Sequence, residues 1–385
     1  MGKRYDVVVG GGSVAGLAFA AEAAKRGISV LVAEEHDEIG EPEKCDGLVS
    51  LRGLRRYGFA PGREVIQNEI ACGVVHSPGG VELAVDATGL DVVVLDRSAY
   101  DRQLAEKAQE WGAELRTGAR AALVEESHSG VSVRVGGDLV QGRYYVDATG
   151  PTSSHRSGIL SAAKYEVEAD WIRERVVEIF ADAEKYPGFF AWIIPYGPRL
   201  AKVGAAGRGI DAFEALDSFL SARPHRRLRR VAAPIYIGGP VREFVSGRRV
   251  RVGESAGQVK PTTAGGITTS VAGAVIAARW LSDSIQLGDP SKLDNYQPDW
   301  ESRYLREMKN MLRLRRVFGK LSNPDMDSVV SVLSAPKLLS RLSRSDFDFH
   351  ATALLGALGV TGLLRLAKVV ASAEAKSLLT GSKPS

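Results

Sequence analysis

Three short stretches of this chain carry residue types able to hold a phosphorylated cofactor: GGGSVAG (Gly10 to Gly16), DATGP (Asp147 to Pro151) and GESAGQVKPTTAGGI (Gly253 to Ile267). In the first, glycines permit a tight turn and let backbone N–H groups approach a pyrophosphate, which the positive end of a following helix also attracts. Two registers fit. One uses Gly10, Gly12 and Ala15. The other uses Gly11, Ser13 and Gly16 and is preferred, because Asp6 then stands at the usual distance before the first glycine, with Ser13 in the middle place. Glu34 follows about twenty residues beyond the turn, where a carboxylate can hold an adenosine ribose. A glycine turn alone serves many nucleotides, so the order and spacing of the other two stretches matter more than the turn itself.

These groups need elements to position them. Residues 5–9, YDVVV, read as a buried strand and Val14 to Arg26 as a helix rich in Ala and Leu, with a second strand from Ile28 to Ala33 ending at Glu34. Residues 161–244 read as strands with one clear helix, Asp211 to Leu220. An amphipathic helix is expected from Tyr304 to Lys320, and a further helical segment, apolar on one side, from His350 to Leu379.

Composition sets outer limits. With 385 residues, 44% hydrophobic and 25% charged, the chain can bury the cores of two joined domains. A formal charge of +4 gives no ground for nucleic-acid binding. Cys45 and Cys72 supply neither a disulfide framework nor zinc spacing, so no metal is expected, and whether the two pair is open. A start leading straight into a strand and the lack of a long uncharged run favour a cytoplasmic protein. Low Asn, Gln, Cys and Met with abundant Arg and Glu suit a thermophile. Basic runs at 223–230, 248–251 and along 304–320 read first as solvated faces; their functional meaning would be peripheral contact with an anionic membrane.

The chain resembles the FAD-dependent glutathione-reductase-like superfamily and, within it, the geranylgeranyl reductases of archaeal lipid synthesis. HDEIGEPEKCDGLVS is similar to that group's IGxPxxCGxGxS segment, which passes beside the flavin and is matched by Cys45, Asp46 and Gly47 with altered spacing. LDRSAYDRQLAEKAQEWGAEL looks like its DRxxFDxxLAxxAxxxGAE helix, placing Arg97 against the cofactor, and Ala121 falls where the backbone meets adenine. DATG resembles the segment closing under the dinucleotide, through Gly150; Thr149 stands where related hydroxylases carry an aspartate that helps serve NADPH. The third stretch resembles GDAAG…P…GGGI, with Glu254 in place of the ribitol-binding aspartate and Gly265, Gly266 and Ile267 opening a helix toward the flavin ring.

The resemblance implies an α/β fold. It expects a Rossmann-like FAD-binding domain from 1–60, 90–160 and 245–290, an inserted antiparallel-sheet substrate domain from 61–89 and 161–244, and a helical C-terminal region from 291–385. Cofactor contacts then fall on Gly11, Gly12, Ser13, Val14, Ala15, Gly16, Glu34, Cys45, Asp46, Gly47, Arg97, Ala121, Gly150, Glu254, Gly265, Gly266 and Ile267. FFAWIIPYG is similar to the group's Y-x-W-x-F-P motif through Phe190, Trp192, Ile194 and Pro195; in a strand the first three share one face and would wall an isoprenoid lipid, although a core face is the simpler meaning of such a stripe. Cys45 is the positional candidate for proton donor. The implied reaction is reduction of geranylgeranyl C=C bonds, with electrons from an external donor, ferredoxin or NAD(P)H. Flavin halogenases carry a related W-x-W-x-I-P motif and need a positioned lysine, for which Lys44 and Lys260 are candidates. A flavin monooxygenase and a non-catalytic lipid-binding flavoprotein would also be compatible with the same segments.

Overall fold

The computed structural model describes residues 3–151, 158–232, 234–356 and 358. The first strand, Arg4–Gly10, has Val7, Val8 and Val9 fully buried because parallel partners, Val30–Ala33 and Asp138–Asp147, flank it and both its faces are covered. The sheet continues to Glu114–Arg116 on one side and to Arg249–Arg251 and Val245–Ser246 on the other. Helices Val14–Lys25 and Ile267–Leu287 pack on one face; on the other, Val8, Leu31 and Ala33 meet Val131, Val133 and Val135 of an antiparallel hairpin.

A second sheet runs in the order 226–232, 159–168, 200–207, 191–197, 176–180, 72–76, 82–86. All its neighbours are antiparallel except 72–76 and 176–180. Its outer face is buried by helix Ala212–Leu220, whose N-cap Asp211 accepts from the N–H groups of Phe213 and Glu214. Its inner face carries Trp192, Ile194 and Ala206 toward the nucleotide-binding region.

A third sheet, which the sequence does not announce, pairs Leu48–Ser50, Val92–Leu95 and Ile66–Glu69 between the other two. Residues 66–69, expected in the substrate domain, therefore pair outside its sheet. The C-terminal region is helical through Tyr296–Phe318, longer than expected because Tyr296, Trp300, Tyr304, Met308 and Met311 form one buried stripe, and continues as Asn323–Leu333 and Pro336–Leu342. Of the expected 350–379 helix, residues 350–356 and 358 are helical and the remainder lies outside the described residues. No described helix is long and apolar enough to cross a membrane.

One contact fixes how the inner face is built. The Trp192 indole lies against the backbone of Gly204 on the adjacent strand, where an added Cβ would overlap the ring. Gly204→Ala is expected to cost about 1–3 kcal/mol, as forced overpacking does, with a lower thermal midpoint and altered tryptophan fluorescence as the readouts.

Candidate flavin and substrate site

Close backbone approach brings the three stretches together. Gly11 has φ +104°, and a Cβ there would strike the carbonyl of Ala148; a Cβ on Gly16 would strike the carbonyl of Gly11. A Cβ on Gly253 would stand 2.5 Å from that of Ala15, so the third stretch leans on the helix that Val14 begins. Gly12 N–H donates to Glu34 Oε2 at 2.6 Å, and His36 N–H donates to Glu34 Oε1 at 3.0 Å. Burial pushes the Glu34 carboxyl up, but these backbone donors outweigh it and hold it below the ordinary carboxylate value. Ala121 opens its strand beside Gly10.

Ser13 caps the first helix without bonding its backbone; its hydroxyl turns to Asp101 Oδ2 at 3.1 Å. Arg97 donates to both Asp101 oxygens at 3.0 and 3.1 Å and also touches Cys45, while its buried Nε has no hydrogen-bond partner. Burial raises the Asp101 pKa, only partly offset by Arg97. A guanidinium beside the glycine turn with one buried donor unused suits a phosphate or ribityl oxygen.

Asp147 is buried and paired with Arg249; Thr149 and Ser255 hydroxyls donate to its Oδ1 at 2.8 and 3.1 Å. Ser255 also donates to Gly150 O at 2.8 Å, which ties the second stretch to the third. Gly150 has φ +87° and faces Glu254. Glu254 is part-exposed, and the protein crowding it pushes its carboxyl up to about 7, against a backbone hydrogen bond from Tyr236.

The loop from Lys260 to Gly266 leads into helix Ile267–Leu287, whose first N–H groups lack intrahelical partners and favour negative charge in front of them. Ala264, where the family pattern has glycine, adopts φ +54° and packs against the apolar layer that includes Trp192 and Ile194. Residues near the end of the described chain reach this loop. Asp348 pairs with Lys260 at 2.9 Å, both buried, and His350 Nε2 lies 2.7 Å from Thr262 Oγ1. Burial, aided by Lys260, lowers His350 to about 4, so the ring is neutral; its Nδ1 faces the carbonyl of Phe347 and carries the proton, leaving Nε2 to accept from Thr262.

The Cys45–Gly47 segment lies between the two regions. Cys45 Sγ accepts from Gly47 N–H at 3.5 Å and its thiol side is toward Arg97. Asp46 points the other way and accepts from Trp192 Nε1 at 2.8 Å. Phe190, Trp192 and Ile194 do share the inner face, but the expected apolar wall needs correcting: Trp192 is bonded to a carboxylate, and Lys164 and Lys202, each 1% exposed, rise from the same face. Pro195 is buried in the strand, and its carbonyl accepts from Asn68 at 2.9 Å. Sequence reading passes over both lysines, as it does Asp348 and His350. The one available signal is Lys164, Glu166 and Glu168 at alternate positions of one strand, a pattern that ordinarily means a solvent face.

Several residues of the basic runs are engaged within the molecule: Arg226 with Glu168, Arg227 with Asp217, Arg229 with Glu41, Arg248 with backbone carbonyls and Arg313 with Asn310. Arg315 is buried and donates to the carbonyls of Pro261 and Gly188. Cys45 and Cys72 are free thiols, and the described residues contain no group of three or more ligands able to hold a metal.

Comparison with known proteins agrees with this geometry. Residues 4–209 match the family described as FAD binding domain, so the protein is an FAD-binding oxidoreductase, related to isoprenoid reductases. Digeranylgeranylglycerophospholipid reductase 2 of Methanopyrus kandleri is 31% identical over 370 residues, covering 87% of this chain and 92% of its own. The protein of the same name from Methanothermobacter thermautotrophicus is 30% identical over 361 residues, covering 88% and 94%. The chain belongs to the digeranylgeranylglycerophospholipid reductase family. A geranylgeranyl bacteriochlorophyll reductase-like protein of Thermoplasma acidophilum superimposes with a TM-score of 0.85 at 22% identity over 97% of this chain and 99% of that one, and a flavin-dependent brominase with 0.68 at 17% over 97% and 100%. These two likenesses show the shared fold, a Rossmann-like region with a sheet domain and a helical C-terminal region.

Glu254 gives the site a pH signature. Its pKa is raised on folding, so the stability it contributes is complete below the unfolded value near 4.5 and is lost as pH rises toward about 7. Urea unfolding between pH 5 and pH 8 is expected to show a fall in stability that Glu254→Gln removes.

Proposed function

We propose that this protein is an FAD-dependent reductase that saturates geranylgeranyl-type C=C bonds of archaeal-type membrane lipids or their precursors. The hydrogen bond between Asp46 and Trp192 carries this reading, because it sets the segment beside the flavin site directly against the strand that would receive an apolar chain. Relatives that align over most of both chains bear the reductase name and support the same substrate class.

When bound, FAD supplies the hydride. The amides of Gly11 to Gly16 would hold its pyrophosphate, Glu34 its ribose, Arg97 and Glu254 its phosphate and ribityl oxygens, and the 265–267 helix start would favour negative charge on the reduced ring. Phe190, Ile194, Tyr196 and Phe347 would keep water from the alkene. That exclusion matters because an isolated alkene accepts hydride poorly and needs accompanying protonation, with cation-like character that water would intercept. Thr149 is held by Asp147 where related hydroxylases serve NADPH, so ferredoxin and NAD(P)H are both donors to be tried in the assay. Lys44 is exposed and Lys260 is paired with Asp348, so neither supports a halogenase role.

Anaerobic incubation of the dithionite-reduced protein with geranylgeranyl glycerolipids should add two hydrogens per reduced double bond, read by mass spectrometry. No mass gain on any such lipid would sink the proposal, and substrate-dependent oxygen uptake would favour a monooxygenase. Trp192→Ala should slow turnover by at least about tenfold, equivalent to roughly 1.4 kcal/mol of lost transition-state stabilisation, with FAD content unchanged by absorbance.

A further inference from the structure

The face of the second sheet that bears Trp192 and Ile194 carries two almost fully buried lysines, Lys164 and Lys202, and holding the flavin gives them no task. Lys164 donates to the carbonyl of Cys45 at 2.9 Å and stands 3.6 Å from Asp46 Oδ1. Lys202 donates to Glu43 Oε1 at 2.6 Å and approaches the carbonyl of Asp46 at 3.4 Å, with its ammonium over the Tyr196 ring. Glu43 continues to Arg229 at 3.9 Å, which reaches Glu166 at 3.7 Å and Glu41 at 3.2 Å. Ser98, from the helix that Arg97 begins, donates to Glu41 at 2.8 Å. Arg229 and Glu41 have side chains 33% and 40% exposed, so these contacts run from solvent to the backbone carbonyl of Asp46.

Charge and hydrogen bonding in this network do not balance. Glu41, Glu43, Asp46 and Glu166 meet Lys164, Lys202 and Arg229, four carboxylates against three cations. Asp46 Oδ1 and Glu166 Oε1 are both buried without a hydrogen-bond partner. A buried carboxylate oxygen left without a hydrogen-bond partner marks a group held there for something other than packing. Asp46 is also the member that touches Trp192, whereas Cys45 faces Arg97 and the cofactor side.

We propose that Asp46, rather than Cys45, is the proton donor to the alkene, and that Lys164 is its positioning residue. This rests on the reductase reading. The proton on Asp46 goes to one alkene carbon, whose π electron pair forms the new C–H bond. The other carbon receives the hydride supplied by reduced FAD, and the C=C becomes C–C. Asp46, left one proton short, takes its replacement from solvent between turnovers, so each saturated bond consumes one hydride and one solvent proton.

The test uses the full-length, FAD-loaded protein as wild type, Asp46→Asn, Asp46→Glu, Lys164→Met and Cys45→Ser, reduced with dithionite and mixed anaerobically with a geranylgeranyl glycerophospholipid in detergent micelles. Asp46→Asn should lose at least about 100-fold in single-turnover rate, the usual scale of general-acid catalysis, while retaining FAD and dithionite reduction. Asp46→Glu should recover part of the rate, Lys164→Met should shift the pH profile, and Cys45→Ser should keep the wild-type pH profile whatever its FAD content. Independently of turnover, the oxidised wild type should show an infrared carbonyl band of a protonated carboxylic acid that Asp46→Asn lacks. Near-normal turnover of Asp46→Asn, loss of its FAD in step with its rate, or no such band would overturn the assignment and leave the network a structural clamp. An inactive wild type would instead overturn the reductase reading, and the donor assignment with it.

Discussion

The site depends on backbones that touch. Gly11 against Ala148, Gly16 against Gly11, Gly253 against Ala15 and Gly47 against Leu95 are contacts in which a side chain on the glycine would overlap its neighbour. Each joins segments that come from different elements, and together they draw residues near 10, 45, 95, 150 and 255 into one groove. Positive φ at Gly11, Gly47 and Gly253 makes glycine necessary there on conformational grounds too. The charged groups that follow, Glu34, Arg97, Asp147 and Glu254, gain their geometry from these contacts.

The departures from the family pattern each have a local partner. Ser13 gives its hydroxyl to Asp101, which holds Arg97, so the change from glycine comes with a polar link between the turn and the second cofactor-side helix. Thr149 bonds to Asp147. Glu254 extends beside Gly150, which a Cβ would bring only to ordinary contact with its carboxylate. Ala264 holds a left-handed conformation that a non-glycine residue adopts at a cost of about 1 kcal/mol or more, and Ala264 N–H bonds to the Lys260 carbonyl at 2.9 Å within the loop.

The glycine turn, the flanking strand and helix, and the Asp211-capped helix were legible because local rules dictate them: a β-branched run, an Ala-rich stretch, a side-chain cap. The third sheet was not, since three strands of three or four residues carry too little periodicity to show. Lys164 and Lys202 were hidden for a different reason. A polar residue at alternate strand positions signals a wet face, and only the folded chain reveals that Glu43 and Asp46, more than a hundred residues away, convert that face into a buried one. The arginines at 226 and 227 lie on a solvated face, as their run suggests, and their acidic partners are scattered along the sequence where no spacing rule connects them.

The segment from Phe347 to Ala351 closes over residues 260–268 through Asp348 on Lys260, His350 on Thr262, and Glu307, which accepts the N–H groups of Ala351 and Thr352. The loop at the start of the long helix thus acquires its buried counter-ion from a residue 88 positions further along the chain. A nascent chain can fold the glycine turn and both large sheets while Lys260 still lacks Asp348. The 260–266 loop therefore gains its buried counter-ion only once residue 348 has been made, which sets its completion late in synthesis.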